Sequence, residues 1–152
     1  MNKGKLIVAE GIDSSGKSTQ VVYLTEYLRS KGFTVSSLRE PGGTEVGEKI
    51  RNILLNVDMD PMTELMLFTS SRIELITKVI QPALLKGEIV VCDRFIDSTY
   101  AYQGLGRGLT HSVIYLEKLI TEYVRSDYVL YFDVSQEEAE RRMKNRPQKL
   151  DR

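Results

Sequence analysis

A run of glycine, serine and lysine residues near the N-terminus has the composition and spacing of a phosphate-binding loop. It consists of Gly11, Ile12, Asp13, Ser14, Ser15, Gly16, Lys17 and Ser18. Gly11 and Gly16 lack a Cβ atom, so the backbone can curl and direct its N–H groups toward phosphate oxygens. Lys17 adds a mobile positive charge, and the Ser18 hydroxyl can bind Mg²⁺. These residues, called the phosphate loop below, predict a site for a nucleoside triphosphate.

The residues on either side of the phosphate loop supply the strand and the helix that such a loop requires. Residues 5–10 are apolar at nearly every position, which predicts a strand buried on both faces of a parallel sheet. From residue 17 to residue 31, apolar residues recur at helical spacing. With a second strand predicted at 33–38, the chain begins with a right-handed βαβ unit.

The composition favours one domain and argues against several classes of partner. With 152 residues, of which 41% are hydrophobic, the chain can form a single domain over 1–152. Its 21 basic and 21 acidic residues leave no overall positive charge to attract a nucleic acid. The single cysteine, Cys92, excludes an internal disulfide, and no apolar run approaches the roughly 18 residues of a membrane helix. These features predict a cytoplasmic protein that binds neither nucleic acid nor membrane.

The rest of the pattern predicts alternating strands and helices, and therefore an α/β fold. Further helices are predicted at 44–56, at 62–86 with a kink at Pro82, at 110–124, and after Ser135. Further strands are predicted up to Asp93 and at 128–133. Strands that alternate with helices in this way form a parallel sheet with helices on both faces, which makes three layers.

Chemically useful side chains follow the second and third predicted strands, at the edge where open α/β sheets bind ligands. Arg39 and Pro41 begin a segment rich in proline and glycine, which suits a binding loop and a plain turn equally. Asp93 and Arg94 end an apolar strand, where a carboxylate can act on Mg²⁺ directly or through water. The same two charges could instead form only a salt bridge.

Two other segments carry aromatic and hydrogen-bonding side chains. Phe68 and Arg72 are four residues apart and share one face of the predicted helix, although core packing is the simpler explanation for Phe68. Residues 97–108 combine hydroxyl, aromatic and amide side chains with several glycines. That mixture predicts a short helix leading into a flexible loop that can contact a ligand.

Together these motifs resemble the thymidylate kinase family, whose members make dTDP from dTMP and ATP. The matching residues are 10–20, 39–44, Phe68, Arg72, 93–95, 98–104 and 106–108. The resemblance covers nearly the whole chain. It implies a P-loop NTPase fold, ATP as the phosphate donor, Mg²⁺ as the metal, and a homodimer formed through helices near residues 44–86.

The resemblance also implies where ATP and the metal bind. The residues expected to contact ATP are Gly11, Ile12, Asp13, Ser14, Ser15, Gly16, Lys17, Ser18 and Thr19. Ser18 and Asp93 are expected to hold Mg²⁺ and its waters. Lys17, Asp13, Asp93 and Arg94 are the expected catalytic residues of this part of the chain.

The acceptor site follows from the resemblance in the same way. The residues expected to contact dTMP are Asp13, Arg39, Pro41, Phe68, Arg72, Arg94, Thr99, Tyr102 and Gln103. Arg94, assisted by Arg39, would bind the dTMP phosphate, because a planar guanidinium matches phosphate oxygens. Phe68 would stack on thymine while Arg72 donates to one of its carbonyl groups. Tyr102 would press on the sugar where a ribose 2′-hydroxyl would clash.

The C-terminal residues are similar to the lid of the bacterial branch of this family. In another branch an arginine inside the phosphate loop stabilises the transferred phosphoryl group, whereas positions 14 and 15 are both serine here. The core is expected to occupy about 1–140 and the start of the lid about 141–152. Arg146 and Arg152 are therefore predicted to be catalytic arginines of the lid.

Members of the family continue, through a further strand and helices, beyond the point at which this sequence stops. We therefore expect the acceptor site to be present, the donor site to be incomplete, and apolar surface to be exposed at one sheet edge. Two alternatives to a dTMP kinase stay open: a kinase for another nucleotide or deoxynucleoside, and an inactive nucleotide-binding protein. A GTPase is disfavoured because the sequence contains no Asn-Lys-x-Asp motif.

Overall fold

A parallel β-sheet forms the centre of the fold. The computed structural model describes residues 4–145, and within this range four strands lie in the order β2-β3-β1-β4. They are β1 (Lys5–Glu10), β2 (Val35–Arg39), β3 (Ile89–Asp93) and β4 (Tyr128–Tyr131). The register pairs Asp93 with Ala9 on one side and with Arg39 on the other. The carboxyl ends of three strands therefore meet at one edge, and the predicted α/β class with a parallel sheet is confirmed.

Helices connect the strands and flank the sheet. In chain order they are α1 (Lys17–Ser30), α2 (Glu45–Asn56), α3 (Pro61–Leu75), α4 (Gln81–Leu85), α5 (Ile96–Thr99), α6 (Thr110–Tyr123) and α7 (Gln136–Lys144). A first π-helical segment (Ile76–Ile80) follows α3, and a second (Tyr100–Leu105) follows α5. Among the residues that the structure describes, no helix is long and apolar enough to cross a membrane.

Alternate residues of the central strands pack into two apolar layers. On one face the buried strand residues are Leu6, Val8, Val90 and Cys92. They pack against the end of α3 and the first π-helical segment, through Leu75, Ile76 and Ile80. On the other face Ala9 and Val91 pack with Val21 of α1. The continuous apolar character of β1 and β3 is explained by this burial on both faces.

Strand β4 forms an edge of the sheet and is largely uncovered. All four of its residues are exposed, and they are Tyr128, Val129, Leu130 and Tyr131. The expectation that apolar surface would be exposed at one edge is thus confirmed. The strand ends at residue 131 rather than at the predicted 133.

Two predicted elements differ from the structure because local rules could not anticipate their backbone geometry. The helix predicted over 62–86 is divided into α3, the first π-helical segment and α4, and Pro82 lies in the first turn of α4. Proline cannot donate to the carbonyl four residues earlier, and its ring crowds that carbonyl. The wider π-helical turn that precedes Pro82 accommodates both effects. The short helix leading into a loop that was predicted over 97–108 is present, but its helical part continues through the second π-helical segment to Leu105, and the irregular part is 106–109.

Candidate active site

The backbone of the phosphate loop depends on glycine at its first position. Gly11 has φ 148°, and a Cβ atom added there would lie 2.7 Å from the Phe132 carbonyl oxygen. Gly16, with φ 99°, precedes α1, and no side chain caps that helix. The first N–H groups of α1 are therefore left for an anion, in the positive field of the helix N-terminus.

Lys17 lies at the base of this loop with its charged end in contact with the backbone. Its Nζ donates to the Ile12 carbonyl oxygen at 2.8 Å, and the residue is only 5% exposed. Burial lowers the pKa of Lys17, and the neighbouring positive charge of Arg94 lowers it further. The carboxylates of Asp93 and Asp13 oppose this shift. The ammonium group is thus close to the loop that is expected to hold phosphate.

Arg94 brings a second cationic group to the same loop from the end of β3. Its Nη1 donates to the Gly11 carbonyl oxygen at 3.2 Å and to Ser98 Oγ at 2.9 Å, while Nη2 pairs with Asp13. The guanidinium also lies over the Tyr102 ring, 5.5 Å from its centre. Arg94 adopts φ 70°, a left-handed conformation that costs a residue with a side chain about 1–2 kcal/mol. Strain of this kind concentrates at functional sites.

Glu10 holds the backbone around Arg94 and was missed by the sequence analysis as a site residue. One carboxylate oxygen accepts from the backbone N–H groups of Phe95 and Ser98, at 2.8 and 3.2 Å, and the other accepts from Ser98 Oγ at 2.7 Å. Glu10 is buried. A buried acidic residue at the end of an apolar strand was the available signal, because such a carboxylate must find donors nearby.

Ser18 and Asp93 bring two oxygen ligands together beside the loop. Ser18 Oγ donates to Asp93 Oδ2 at 2.6 Å, which joins the first turn of α1 to the end of β3. A hydroxyl and a carboxylate are ligands of the type that Mg²⁺ accepts, with waters and phosphate oxygens completing its coordination. The donor set therefore fits Mg²⁺.

Arg72 is the centre of a buried polar network below the sheet edge. Its Nε donates to Glu40 Oε2 at 2.6 Å, Nη1 to Thr99 Oγ1 at 3.0 Å, and Nη2 to the Phe95 carbonyl oxygen at 3.0 Å. Arg72 is 2% exposed. Thr99, one of the residues expected to contact dTMP, therefore contacts Arg72.

Glu40 is the acidic partner in this network, and its role was not predicted. Its Oε1 atom is buried without a hydrogen-bond partner. Burial raises the pKa of Glu40 from 4.5 to about 7, and the Arg72 guanidinium only partly opposes that shift. Glu40 directly follows β2, and Glu10 is the last residue of β1. The two acidic residues whose roles were not predicted therefore occupy equivalent places at the carboxyl edge of the sheet.

The other residues predicted to contact dTMP differ in their burial and in their partners. Phe68 is partly buried on α3, and Gln103 is buried and donates to Glu64 Oε1 at 2.7 Å. Arg39 binds the Glu48 carboxylate through both terminal nitrogens at 3.0 Å each. The Pro41 carbonyl oxygen accepts from Arg51 Nη1 at 3.0 Å.

Arg142 of α7 contacts the phosphate loop, a contact that the sequence analysis did not predict. Its Nη1 donates to the carbonyl oxygens of Ser15 and Ser14 at 3.1 and 3.4 Å, and its Nε donates to Glu138 Oε1 at 2.7 Å. Hydrogen bonds from Arg141 and Arg142 lower the pKa of Glu138 to about 2. The predicted lid residues Arg146 and Arg152 lie outside the described residues.

Comparison with known proteins identifies the family of the chain. A family model described as thymidylate kinase matches residues 9–152. The chain belongs to the thymidylate kinase family. A thymidylate kinase of a Thermoanaerobacter species is 46% identical over 99% of this chain and 76% of its own length. The thymidylate kinase of Chlorobium luteolum is 51% identical over 88% of this chain and 64% of its own length.

The fold of this thymidylate kinase family member also matches that of a solved thymidylate kinase. The crystal structure of thymidylate kinase from Ehrlichia chaffeensis superposes with a TM-score of 0.80 at 40% sequence identity. That alignment covers 93% of this chain and 83% of the other. The resemblance inferred from the motifs is therefore confirmed at the level of family and fold.

Proposed function

We propose that this member of the thymidylate kinase family transfers the γ-phosphoryl group of ATP to dTMP, with ADP and dTDP as products. An oxygen of the dTMP phosphate attacks the γ-phosphorus, and the bond from that phosphorus to the β,γ-bridging oxygen breaks. The observation that carries the proposal is the contact of Arg94 with Gly11 and Asp13. It joins a guanidinium suited to the acceptor phosphate to the loop suited to the donor phosphates.

The donor half of the proposal uses the phosphate loop and α1. Backbone N–H groups of residues 11–19 and the Lys17 ammonium would bind the ATP phosphates. Ser18 and Asp93 would hold Mg²⁺, which neutralises negative charge on the phosphate oxygens when it is bound. Arg142, fixed on the loop by its contacts with Ser15 and Glu138, adds a further positive charge at this end. Arg146 and Arg152 remain the proposed arginines of the lid.

The acceptor half uses the ends of β2 and β3 together with α3. Arg94 would bind the dTMP phosphate with its planar guanidinium. Phe68 and Arg72 would contact the base, and Tyr102, which Arg94 already touches, would contact the sugar. Arg39 is proposed as a second phosphate ligand, and the phosphate would compete with Glu48 for it.

We also propose that the protein forms a homodimer through α2 and α3. The apolar side chains of these helices that are exposed include Val46, Ile53 and Leu55 on α2 and Met62 and Met66 on α3. Such a concentration of exposed apolar residues is typical of a protein interface. Sedimentation equilibrium should give twice the mass of the chain, and a monomer mass at micromolar concentration would contradict the proposal.

Comparison of three acceptors tests the proposed reaction. We expect phosphate transfer from ATP to dTMP to be faster than to dUMP, because packing against Phe68 should favour the methylated base. Transfer should be absent with thymidine, because Arg94 then has no phosphate to bind. Product formation is measured by separating labelled ADP and dTDP. Equal rates on dTMP and dUMP would favour a broader nucleotide kinase. Tight binding of dTMP in calorimetry without any turnover would favour an inactive binding protein.

A further inference from the structure

One stripe of α3 is joined at both ends to the same later segment of the chain. Glu64, Phe68 and Arg72 follow one another at intervals of four residues and therefore share a face of the helix. Arg72 donates to the backbone of Phe95. Glu64 accepts hydrogen bonds from Gln103 and Arg107, which follow Phe95 in the chain. Phe68, the residue proposed to stack on the base, lies between these two attachment points.

At the Glu64 end, one carboxylate binds two donors from the later segment. Its Oε1 accepts from Gln103 Nε2 at 2.7 Å, and its Oε2 accepts from Arg107 Nη2 at 3.0 Å. The Glu64 side chain is 17% exposed, and Gln103 is 5% exposed. Because a carboxylate only accepts hydrogen bonds, it fixes which end of the Gln103 amide points toward α3. A charge-assisted pair of bonds in a partly buried position is among the stronger polar contacts.

The segment that receives this contact is held from two sides. On the side of α6, the Tyr100 hydroxyl donates to Glu117 Oε2 at 2.7 Å and Thr110 Oγ1 donates to the Gly104 carbonyl oxygen at 3.1 Å, whereas on the side of α3 the contact is that of Glu64. Residues 100–105 form a π-helical turn, a rare form that is frequent at functional sites. No side chain caps α5 or the π-helical segment that follows it. Gly106 and Gly108 follow directly, and Gly108 has φ 72° with no atom within 4 Å of an added Cβ. Contacts from elsewhere in the fold must therefore position Tyr102 and Gln103.

We propose that Glu64 is a positioning residue for nucleotide recognition: it holds Gln103 and Arg107 against α3 and thereby fixes the distance between Phe68 and the second π-helical segment. The proposal rests on the proposed function, in which the base lies against Phe68. Glu64 itself does not contact the base or the phosphates. Its removal lets the segment carrying Tyr102 and Gln103 move away, so that dTMP meets a less ordered pocket.

The test separates binding of dTMP from the chemical step. In Glu64→Ala we expect the KM for dTMP to rise about tenfold and kcat to change less than about twofold, since the lost contacts act on binding of one substrate. The KM for ATP should stay at the wild-type value. Glu64→Gln keeps an acceptor for Gln103 but loses the charge that holds Arg107. Its KM for dTMP should therefore lie between that of the wild type and that of Glu64→Ala.

A second background shows whether the effect passes through Gln103. In a Gln103→Ala protein, the further change Glu64→Ala should raise the KM for dTMP by less than it does in the wild type. Equal increases in both backgrounds would overturn the proposal, as would an unchanged KM for dTMP in Glu64→Ala. A parallel rise in the KM for ATP would show a general loss of structure and would overturn it too.

A matched control removes a similar acidic residue from a similar place. Glu45 lies in the first turn of α2, as Glu64 lies in the first turn of α3, and its carboxylate forms an ion pair with exposed Lys49 at 2.8 Å. Glu45→Ala should leave both KM values unchanged. If the wild-type protein itself fails to phosphorylate dTMP, the proposed function fails. If it succeeds and Glu64→Ala behaves like Glu45→Ala, only the present inference fails.

Discussion

Replacing Arg94 by alanine and by glycine separates the binding role of its side chain from the strain in its backbone. Both variants lose the guanidinium that contacts Gly11, Ser98 and Asp13. Only glycine relieves the positive φ of 70°. The two variants should therefore bind dTMP equally weakly but unfold at different free energies.

The expected sizes follow from the contacts. A hydrogen bond to a charged group contributes about 1.5–3 kcal/mol, so dTMP affinity should fall about 10- to 150-fold in both variants. Loss of the ion pair with Asp13 should add little to instability, because the Asp13 side chain is 68% exposed. The left-handed backbone should make Arg94→Gly more stable than Arg94→Ala by about 1 kcal/mol. For a chain of this length that difference raises the melting temperature by about 2–4 °C.

Calorimetric titration with dTMP and thermal unfolding by circular dichroism measure the two effects separately. Arg29→Ala is the matched control, since Arg29 binds the Val35 carbonyl oxygen near the far end of α1, about 18 Å along the helix from Lys17. It should leave dTMP affinity unchanged. Wild-type affinity for dTMP in both Arg94 variants would refute the proposed acceptor site, and equal stability of the two variants would refute the argument from strain.

Two further predictions concern buried charges. Lys17→Met should abolish phosphate transfer while dTMP affinity stays within about threefold of the wild type, because Lys17 serves the donor phosphates; a large loss of dTMP affinity in calorimetry would contradict that role. The folded state raises the pKa of Glu40 from 4.5 to about 7, so folding favours its protonated form. As the pH rises from about 5 to 8, the loss of this proton should lower the free energy of unfolding by about 2 to 3 kcal/mol. Glu40→Gln should remove that part of the pH dependence, as measured by urea unfolding at the two pH values; an unchanged slope would show that another group causes it.

The central fold was predictable because its signals are local and strong. The glycines and lysine of the phosphate loop specify a strand, a turn and a helix in order, and the continuous apolar run of β1 specifies burial on both faces. Helix α1 ends at Ser30 and α2 at Asn56, within one residue of the predicted ends. Caps and periodicity were sufficient for these elements.

Other features depended on contacts between distant residues and could not be predicted from local pattern. The π-helical segment at residues 100–105 is bonded through Gln103 to Glu64, which lies far earlier in the chain. Leu119 recurs at helical spacing with the buried residues Val113 and Ile120 of α6, but it is exposed, because helical spacing indicates a stripe without giving its width. The pairing of Arg39 with Glu48 was also missed, since the predicted role considered only a ligand as its partner.

The strand order divides the candidate site into two halves that rest on different parts of the sheet. The phosphate loop is supported from the β4 side, where the Phe132 carbonyl meets Gly11 and α7 supplies Arg142. The proposed contacts with the base lie on the other side, at α3 and the end of β2. Among the described strands, β1 and β3 lie in the middle and contribute to both halves. On the proposed function, substitutions that change which base is accepted would fall on one side of the sheet, and the residues proposed to bind the ATP phosphates would be left unchanged on the other.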